Sequence, residues 1–201
     1  FDNEFVPAIS ESASIISDGK IHEEVSIGSN VVINGKVDIG KGTQIKDNVV
    51  IEGRVSIGNN VLIKSGTIIG QKGFNFVMDE ENLPIPFIHF GKVIIGNNVE
   101  LGALNTVVQG TLSDTIISDY VKTDDHVHIA HNVKVGKCTL ITAHAEISGS
   151  VTIGENCWLG PNCSIIDHIT IGNNVFIGIG AVVTKSLEEN ILVVGNPARK
   201  L

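Results

Sequence analysis

Aromatic side chains are scarce in this chain, 4% of its residues with a single Trp and a single Tyr, so any core must be aliphatic. Charged residues are also few, at 18%, and they lean acidic, with 22 Asp and Glu against 14 Lys and Arg and a net charge of −8. No basic stripe offsets that balance, which argues against a nucleic-acid surface. No apolar run has the uninterrupted length of a membrane span or a secretory signal. No membrane insertion is therefore expected, and the cytoplasm is the expected compartment. The three cysteines, Cys138, Cys157 and Cys163, include no CxxC pair and read as structural thiols in a reducing environment. The chain opens at Phe1 rather than at methionine, which is the pattern of a sequence whose N-terminal piece is missing.

What the chain has in abundance is isoleucine, and the spacing matters more than the number. Ile9, Ile15, Ile21, Ile27, Ile33, Ile39, Ile45, Ile51, Ile57, Ile63 and Ile69 fall at intervals of six. The ladder returns at Ile95, Leu101 and Val107, slips once, and runs from Ile117 through Thr123, Ile129, Val135, Ile141, Ile147, Ile153, Leu159, Ile165, Ile171 and Ile177 to Val183. Neither a helix, with period 3.6, nor an ordinary strand, with period 2, sustains such a repeat. A solenoid does, because each repeat buries its apolar residue only by stacking on its neighbours. Two residues before most rungs stands a small or β-branched residue, among them Val25, Val49, Thr139, Cys157 and Cys163. One residue after many rungs stands Gly, as at Gly28, Gly58, Gly96, Gly154 and Gly172, which suits a corner with φ > 0 or close packing. The pattern predicts an all-β fold, a β-helix of hexapeptide rungs in one domain. The 26 rungs would make between eight and nine triangular turns, a prism roughly 40 Å long at ~4.8 Å per strand. The expected division is residues 1–183 for the solenoid, interrupted by a loop at 71–91, and 184–201 for a C-terminal extension. The loop carries Phe74, Phe76, Phe87, Ile88 and Phe90, too apolar for a free tail, and either covers its own coil or walls a substrate cleft.

The Ile-Gly-x-x-Val-x repeat resembles the hexapeptide acyltransferase superfamily, which implies a left-handed parallel β-helix. From about residue 70 to 175 the chain is similar to the UDP-3-O-acylglucosamine N-acyltransferases of lipid A synthesis. The segments that carry this likeness are Gly73-Phe74-Asn75-Phe76, Gly91–Ala103, Leu112–Ile117, Ile129-Ala130-His131-Asn132-Val133, Ile147-Ser148-Gly149-Ser150 and His168–Gly172. The chain departs from that family at Val108-Gln109-Gly110, where Asp-Arg-Gly is usual, and has no counterpart of its uridine-binding or helical terminal domains. Its ending, Ala181–Lys185 followed by Val194-Gly195-Asn196-Pro197-Ala198-Arg199, looks instead like acetyl-CoA-dependent nucleotide-sugar N-acetyltransferases. The two resemblances agree on a base and differ on the acyl donor.

Acyl transfer from a thioester to an amine needs a base, an oxyanion donor and a groove that aligns both substrates. Of seven histidines, His131 stands in the family's catalytic motif, and a histidine's ordinary pKa near 6.5 suits the task. Eighteen residues on, one turn above, is Gly149, whose N–H the resemblance implies as the oxyanion donor. It implies His168 as a second active-site histidine, with Asn132 and Asp114 also on the substrate side. Orientation of His131 is left to Asp114, Asp119 or a neighbouring subunit. His22 and His89 have no motif context and are expected at the solvent-exposed surface. His126 and His144, 18 apart, are expected to stack, with Asn162 next in that column, and His128 to point outward.

The resemblance to the acetyltransferases implies acetyl-CoA as co-substrate, with Gly149, Pro161 and Ile179 along the pantetheine groove and Lys185, Asn196, Arg199 and Lys200 near the nucleotide. No metal is expected. The main expectation is thus transfer of an acetyl group from CoA to the amine of a nucleotide-linked amino sugar, and the resemblance to the lipid A enzymes implies a hydroxyacyl carrier protein as the alternative donor. A γ-carbonic-anhydrase-like zinc site would want a histidine where Gly136 stands, although His126-x-His128 has metal-compatible spacing. A non-catalytic structural β-helix is the third class. The superfamily implies a homotrimer with active sites between prisms, and an isolated prism would leave flat apolar strand faces exposed.

Overall fold

The computed structural model describes residues 7–201, so the first six residues of the expected solenoid lie outside the described residues. No helix occurs among the described residues. The ladder residues line the inside of a left-handed parallel β-helix of triangular section. On the first face Ile9, Ile27, Ile45, Ile63, Leu101, Thr123, Ile141, Leu159, Ile177 and Val193 stack in register. The second face runs from Ile15 through Ile33, Ile51, Ile69, Val107, Ile129, Ile147 and Ile165 to Val183. The third runs from Ile21 to Ile171 and ends on Leu187. Leu187 and Val193 are rungs that the strict spacing missed; Leu187 closes the third face, and Val193 brings the first face to ten levels rather than the eight to nine expected.

Most strands are two residues long, such as Ser26–Ile27 and Thr170–Ile171, because each hexad offers one outward and one inward residue before the chain turns. The side chains two before each rung fill the same interior, and Ile33, Ile51, Ile63 and Ile147 are fully buried there with Val31, Val49 and Val121. Where that position is Thr, its hydroxyl donates inside the coil, from Thr43 to the Gly58 carbonyl (3.0 Å) and from Thr139 to that of Gly154 (2.9 Å). Cys157 and Cys163 are buried as expected, and burial pushes the Cys163 thiol up to about 12, which removes it as a nucleophile.

Of the two readings open for the glycine one after the rung, positive φ or close packing, most of these glycines show the second. Positive φ falls three residues after the rung, at Asn48, Asn98, Asn132, Asn162 and Asn174, and also at His126, His144 and His168. Asn tolerates this left-handed region because its short amide bonds locally. The glycine one after the rung serves close approach instead: a Cβ on Gly96 would lie 2.7 Å from the backbone nitrogen of Asp119 one turn away. Between second and third faces, the strands Val32–Ile39 and Val50–Ile57 run straight through the corner at Gly35 (φ 108°) and Gly53 (φ 81°).

That same corner is where the repeat breaks. The loop 71–91 leaves it after Ile69 and re-enters the third face at Val93, forming a short hairpin of Phe76–Met78 against Pro84–Pro86. One turn on, residues 108–114 bulge from it again. The two excursions are tied together, as Gly91 N–H donates to the Thr111 carbonyl (2.7 Å) and the Gln109 amide to the Gly91 carbonyl (2.7 Å). The next turn at this corner carries His131. At the far end Leu192–Val194 lies parallel on Phe176–Ile177, and Arg199–Lys200 folds back antiparallel on it.

Candidate active site

In this fold the residue two after each rung leaves a backbone N–H at the corner, and an Asp or Asn in the same place one turn up caps it. Asp47 takes the Ser29 N–H (2.7 Å), Asn97 that of Asn59 (2.9 Å) and Asp125 that of Ala103 (2.7 Å). In the second-to-third-face column those places hold His131, Gly149 and Asp167. Gly149 has no side chain with which to cap His131. Asp167 does not cap Gly149; its Oδ2 lies 3.8 Å from Nε2 of His168. The hydrogen bonds of the described residues thus leave the Gly149 N–H without an acceptor.

The imidazole of His131 occupies the room that Gly149 leaves. A Cβ on Gly149 would stand 2.6 Å from Cε1 and 2.7 Å from Nε2 of the ring. From the other side the loop closes over it: a Cβ on Gly73 would lie 3.4 Å from Cδ2 and 2.7 Å from Val108. Together with Phe74, His128, Ala130, Glu146 and Ser148 these residues line a cleft of about 310 Å³. Burial lowers the His131 pKa below its ordinary value, with the neighbouring His89 and His168 imidazoles acting in the same direction and Asp167 opposing. The ring is therefore neutral near pH 7 and able to accept a proton. Its Nδ1 is buried without a hydrogen-bond partner among the described residues.

Other expected residues have different placements. Asp114 accepts the Lys92 backbone N–H (2.9 Å) and Asp119 that of Asn97 (2.7 Å), so neither carboxylate orients His131 in the described structure. Asn132 braces the 108–114 excursion, its Oδ1 accepting from Thr111 N–H (2.8 Å) and its Nδ2 donating to Thr111 Oγ1 (2.7 Å). His168 is exposed at a left-handed corner, and its N–H donates to the Gly149 carbonyl (3.0 Å). Toward the C-terminus, the Pro161 carbonyl accepts from Gly180 N–H (2.8 Å), and Ile179, Lys185 and Arg199 are exposed. Asn196–Pro197 is a cis peptide. His126 and His144 stack as expected, with ring centroids 4.8 Å apart and planes 3° apart, whereas His128 lines the cleft of His131. His22 is exposed.

His89 is a correction. It was expected in solvent, yet it is 7% exposed, although the loop's Phe74, Ile88 and Phe90 around it stay exposed. Its Nδ1 bonds the Phe87 carbonyl (3.0 Å) and its Nε2 accepts the Gly73 N–H (3.1 Å), which makes it the neutral Nδ1–H tautomer. Its ring meets that of His131 edge to face at 6.3 Å. Glu146 and Ser148 were also missed as neighbours of the site. The one signal for them was position: each follows or flanks a rung at the corner from which the loop leaves.

A family model described as bacterial transferase hexapeptide (six repeats) matches residues 36–71 and 150–185. Those two segments are similar to the repeats of bacterial hexapeptide transferases. Over 80 residues, 40% of this chain, it is 45% identical to a UDP-3-O-acylglucosamine N-acyltransferase of Coxiella burnetii. The chain spans about a quarter of the length of the curated relatives it matches, 23% in that case. Among solved structures it is similar to LpxA from Acinetobacter baumannii, with 26% identity, a TM-score of 0.81, and 96% of this chain and 70% of that one covered. The UDP-N-acetylglucosamine acyltransferase of Francisella novicida superposes with a TM-score of 0.85 at 25% identity, covering 96% of this chain and 68% of its own. No helix among the described residues is long and apolar enough to cross a membrane.

Proposed function

We propose that this chain is an N-acyltransferase that moves an acyl group from a thioester to the amine of a UDP-linked amino sugar. The observation that carries the reading is the pairing of a neutral, partly buried His131 with an uncapped Gly149 N–H in one cleft. The amine nitrogen attacks the thioester carbonyl while His131 takes its proton. The oxygen, now negative, faces a donor whose hydrogen bond needs no reorganisation. Collapse expels the thiolate, which receives the proton from His131, leaving an amide and a free thiol. His168, Asn132 and Asp114 belong on the substrate side in this reading.

Of the two donors, the hydroxyacyl carrier protein has the stronger support, because the similar curated proteins are named UDP-3-O-acylglucosamine N-acyltransferases. Acetyl-CoA rests on the C-terminal residues alone: Pro161, Ile179, Lys185, Asn196 and Arg199. The solenoid, which the described residues carry on as far as Val193, would work as a homotrimer in the cytoplasm. An exposed apolar stripe of Leu140, Trp158, Phe176 and Leu192 on the first face supports burial against a second copy.

The test is product formation followed by mass spectrometry, with UDP-3-O-acylglucosamine offered alongside hydroxyacyl carrier protein or acetyl-CoA. An amide product that disappears in His131→Ala is expected. Turnover that persists in that variant, or no product with either donor, would sink the reading.

A further inference from the structure

Four of the chain's 14 Lys and Arg residues converge at and beside the corner between second and third faces, below the turn that carries His131. Lys36, Arg54 and Lys92 line a cleft of about 200 Å³ with Asp38, Val55 and Ser56, and Lys20 and Lys36 line an adjoining one of about 530 Å³. The strand register explains the convergence. Lys36 pairs directly with Arg54, and because Val55 pairs with Val93, Lys92 follows Arg54 one strand further on. Three cations thus succeed one another at about 4.8 Å of backbone spacing. Like charges so placed destabilise a sheet.

Other lysines of this acidic chain meet carboxylates: Lys41 with Glu24 (2.9 Å), Lys64 with Glu100 (2.8 Å) and Lys137 with Asp119 (3.8 Å). Lys20, Lys36, Arg54 and Lys92 have no carboxylate within ion-pair distance among the described residues. The one carboxylate lining the clefts is Asp38, and its Oδ1 already accepts the Lys20 backbone N–H (2.8 Å). The carboxylate above Lys92, Asp114, likewise accepts a backbone N–H. Arg54 donates one guanidinium N–H to the Phe90 carbonyl, which holds the head at the foot of the loop and leaves its other donors for a ligand. Four positive charges against one negative, in a protein of net charge −8, form a local site that wants an anion of high charge.

We propose that Lys20, Lys36, Arg54 and Lys92 bind the diphosphate group of a nucleotide. Two neighbouring cations can each take one phosphate, and the guanidinium supplies a fork for the oxygens between them. The corner column Lys92–Asp114–Asn132 climbs two turns, about 10 Å, to the residue beside His131. The diphosphate could arrive on a sugar nucleotide or on coenzyme A, and the site does not depend on which acyl transfer the chain performs.

The experiment is calorimetric titration of the full chain with inorganic diphosphate at low salt, repeated with Arg54→Ala, Lys92→Ala and their double variant. Saturable binding is expected, weakened at least about tenfold by Arg54→Ala and further by the double change. Lys41→Ala, which breaks an ion pair outside the clefts, should leave affinity unchanged. Removal of like charges should not lower the melting temperature, so lost binding with an intact melt reports the site rather than unfolding. Competition by UDP alone assigns the site to the acceptor, and competition by coenzyme A alone assigns it to the donor. Absence of saturable binding, unchanged affinity in the double variant, or failure of both nucleotides to compete would overturn the proposal.

Discussion

Gly149→Ala tests the site with a single methyl group. The new Cβ would lie 2.6 Å from Cε1, 2.7 Å from Nε2 and 3.2 Å from Nδ1 of His131. Carbon contacts settle at about 3.5–4.0 Å, so the ring must recede by about 1 Å. Gly73 and Val108 line the same cleft beside it. Gly149 does not have positive φ, so the substitution adds no backbone strain, and its whole effect is steric. Overpacking of this type costs about 1–3 kcal/mol in stability. A displacement of about 1 Å in a base costs about 10²-fold in rate. The two effects are separable by urea unfolding and by kcat/KM for amide formation at saturating donor. A large rate loss with a modest stability loss is expected. Turnover within a few-fold of wild type, in a variant whose fold is intact, would refute the claim that the position of this ring on Gly149 sets the chemistry.

His131→Ala should lower kcat/KM by about 10²–10⁴-fold while far-UV circular dichroism stays unchanged. Because burial holds the His131 pKa below its ordinary value of about 6.5, the acid limb of the kcat/KM profile should fall below that pH. Asp167→Asn removes the anion that favours the protonated ring and should move the limb lower still. The linked stability effect has a definite sign: the folded state binds fewer protons than the unfolded one, so this group's contribution weakens as pH drops from about 6.5 and the loss stops below the folded pKa. Ile63→Ala, at a fully buried rung, should cost about 2–5 kcal/mol in urea unfolding. Leu104→Asn, at an exposed corner with φ 57°, should raise stability by up to about 1 kcal/mol, read as a higher melting temperature.

The fold was legible because one physical requirement, burial by stacking, acts identically at every turn. An interior residue every six places leaves a trace that substitutions such as Thr123 or Leu159 do not erase. His131 was legible from its motif and Gly149 from arithmetic, since eighteen residues make one turn. The corner residues were harder to read. Glycine one after the rung left positive φ and close packing both open; close packing is what most of these glycines show, and the prism turns two residues later, where Asn and His share a column whose role is conformational. His126 and His144 belong to that column, and their metal-like spacing to His128 is a by-product of it.

What lay beyond the sequence is whatever crosses the break in the repeat. Counting by eighteen from Lys36 and Arg54 leads to Lys72, but the loop takes Lys72 out of the column, and its length delivers Lys92 there instead. His89 is brought to His131 by the same loop, from a stretch with no period to count. An uninterrupted hexad presents flat faces and capped corners, which leave little space for a substrate. A cleft requires the period to fail, and here it fails at one corner on two successive turns. His131, the loop's His89 and the cation column all border that corner, so the proposed site gathers where the period fails.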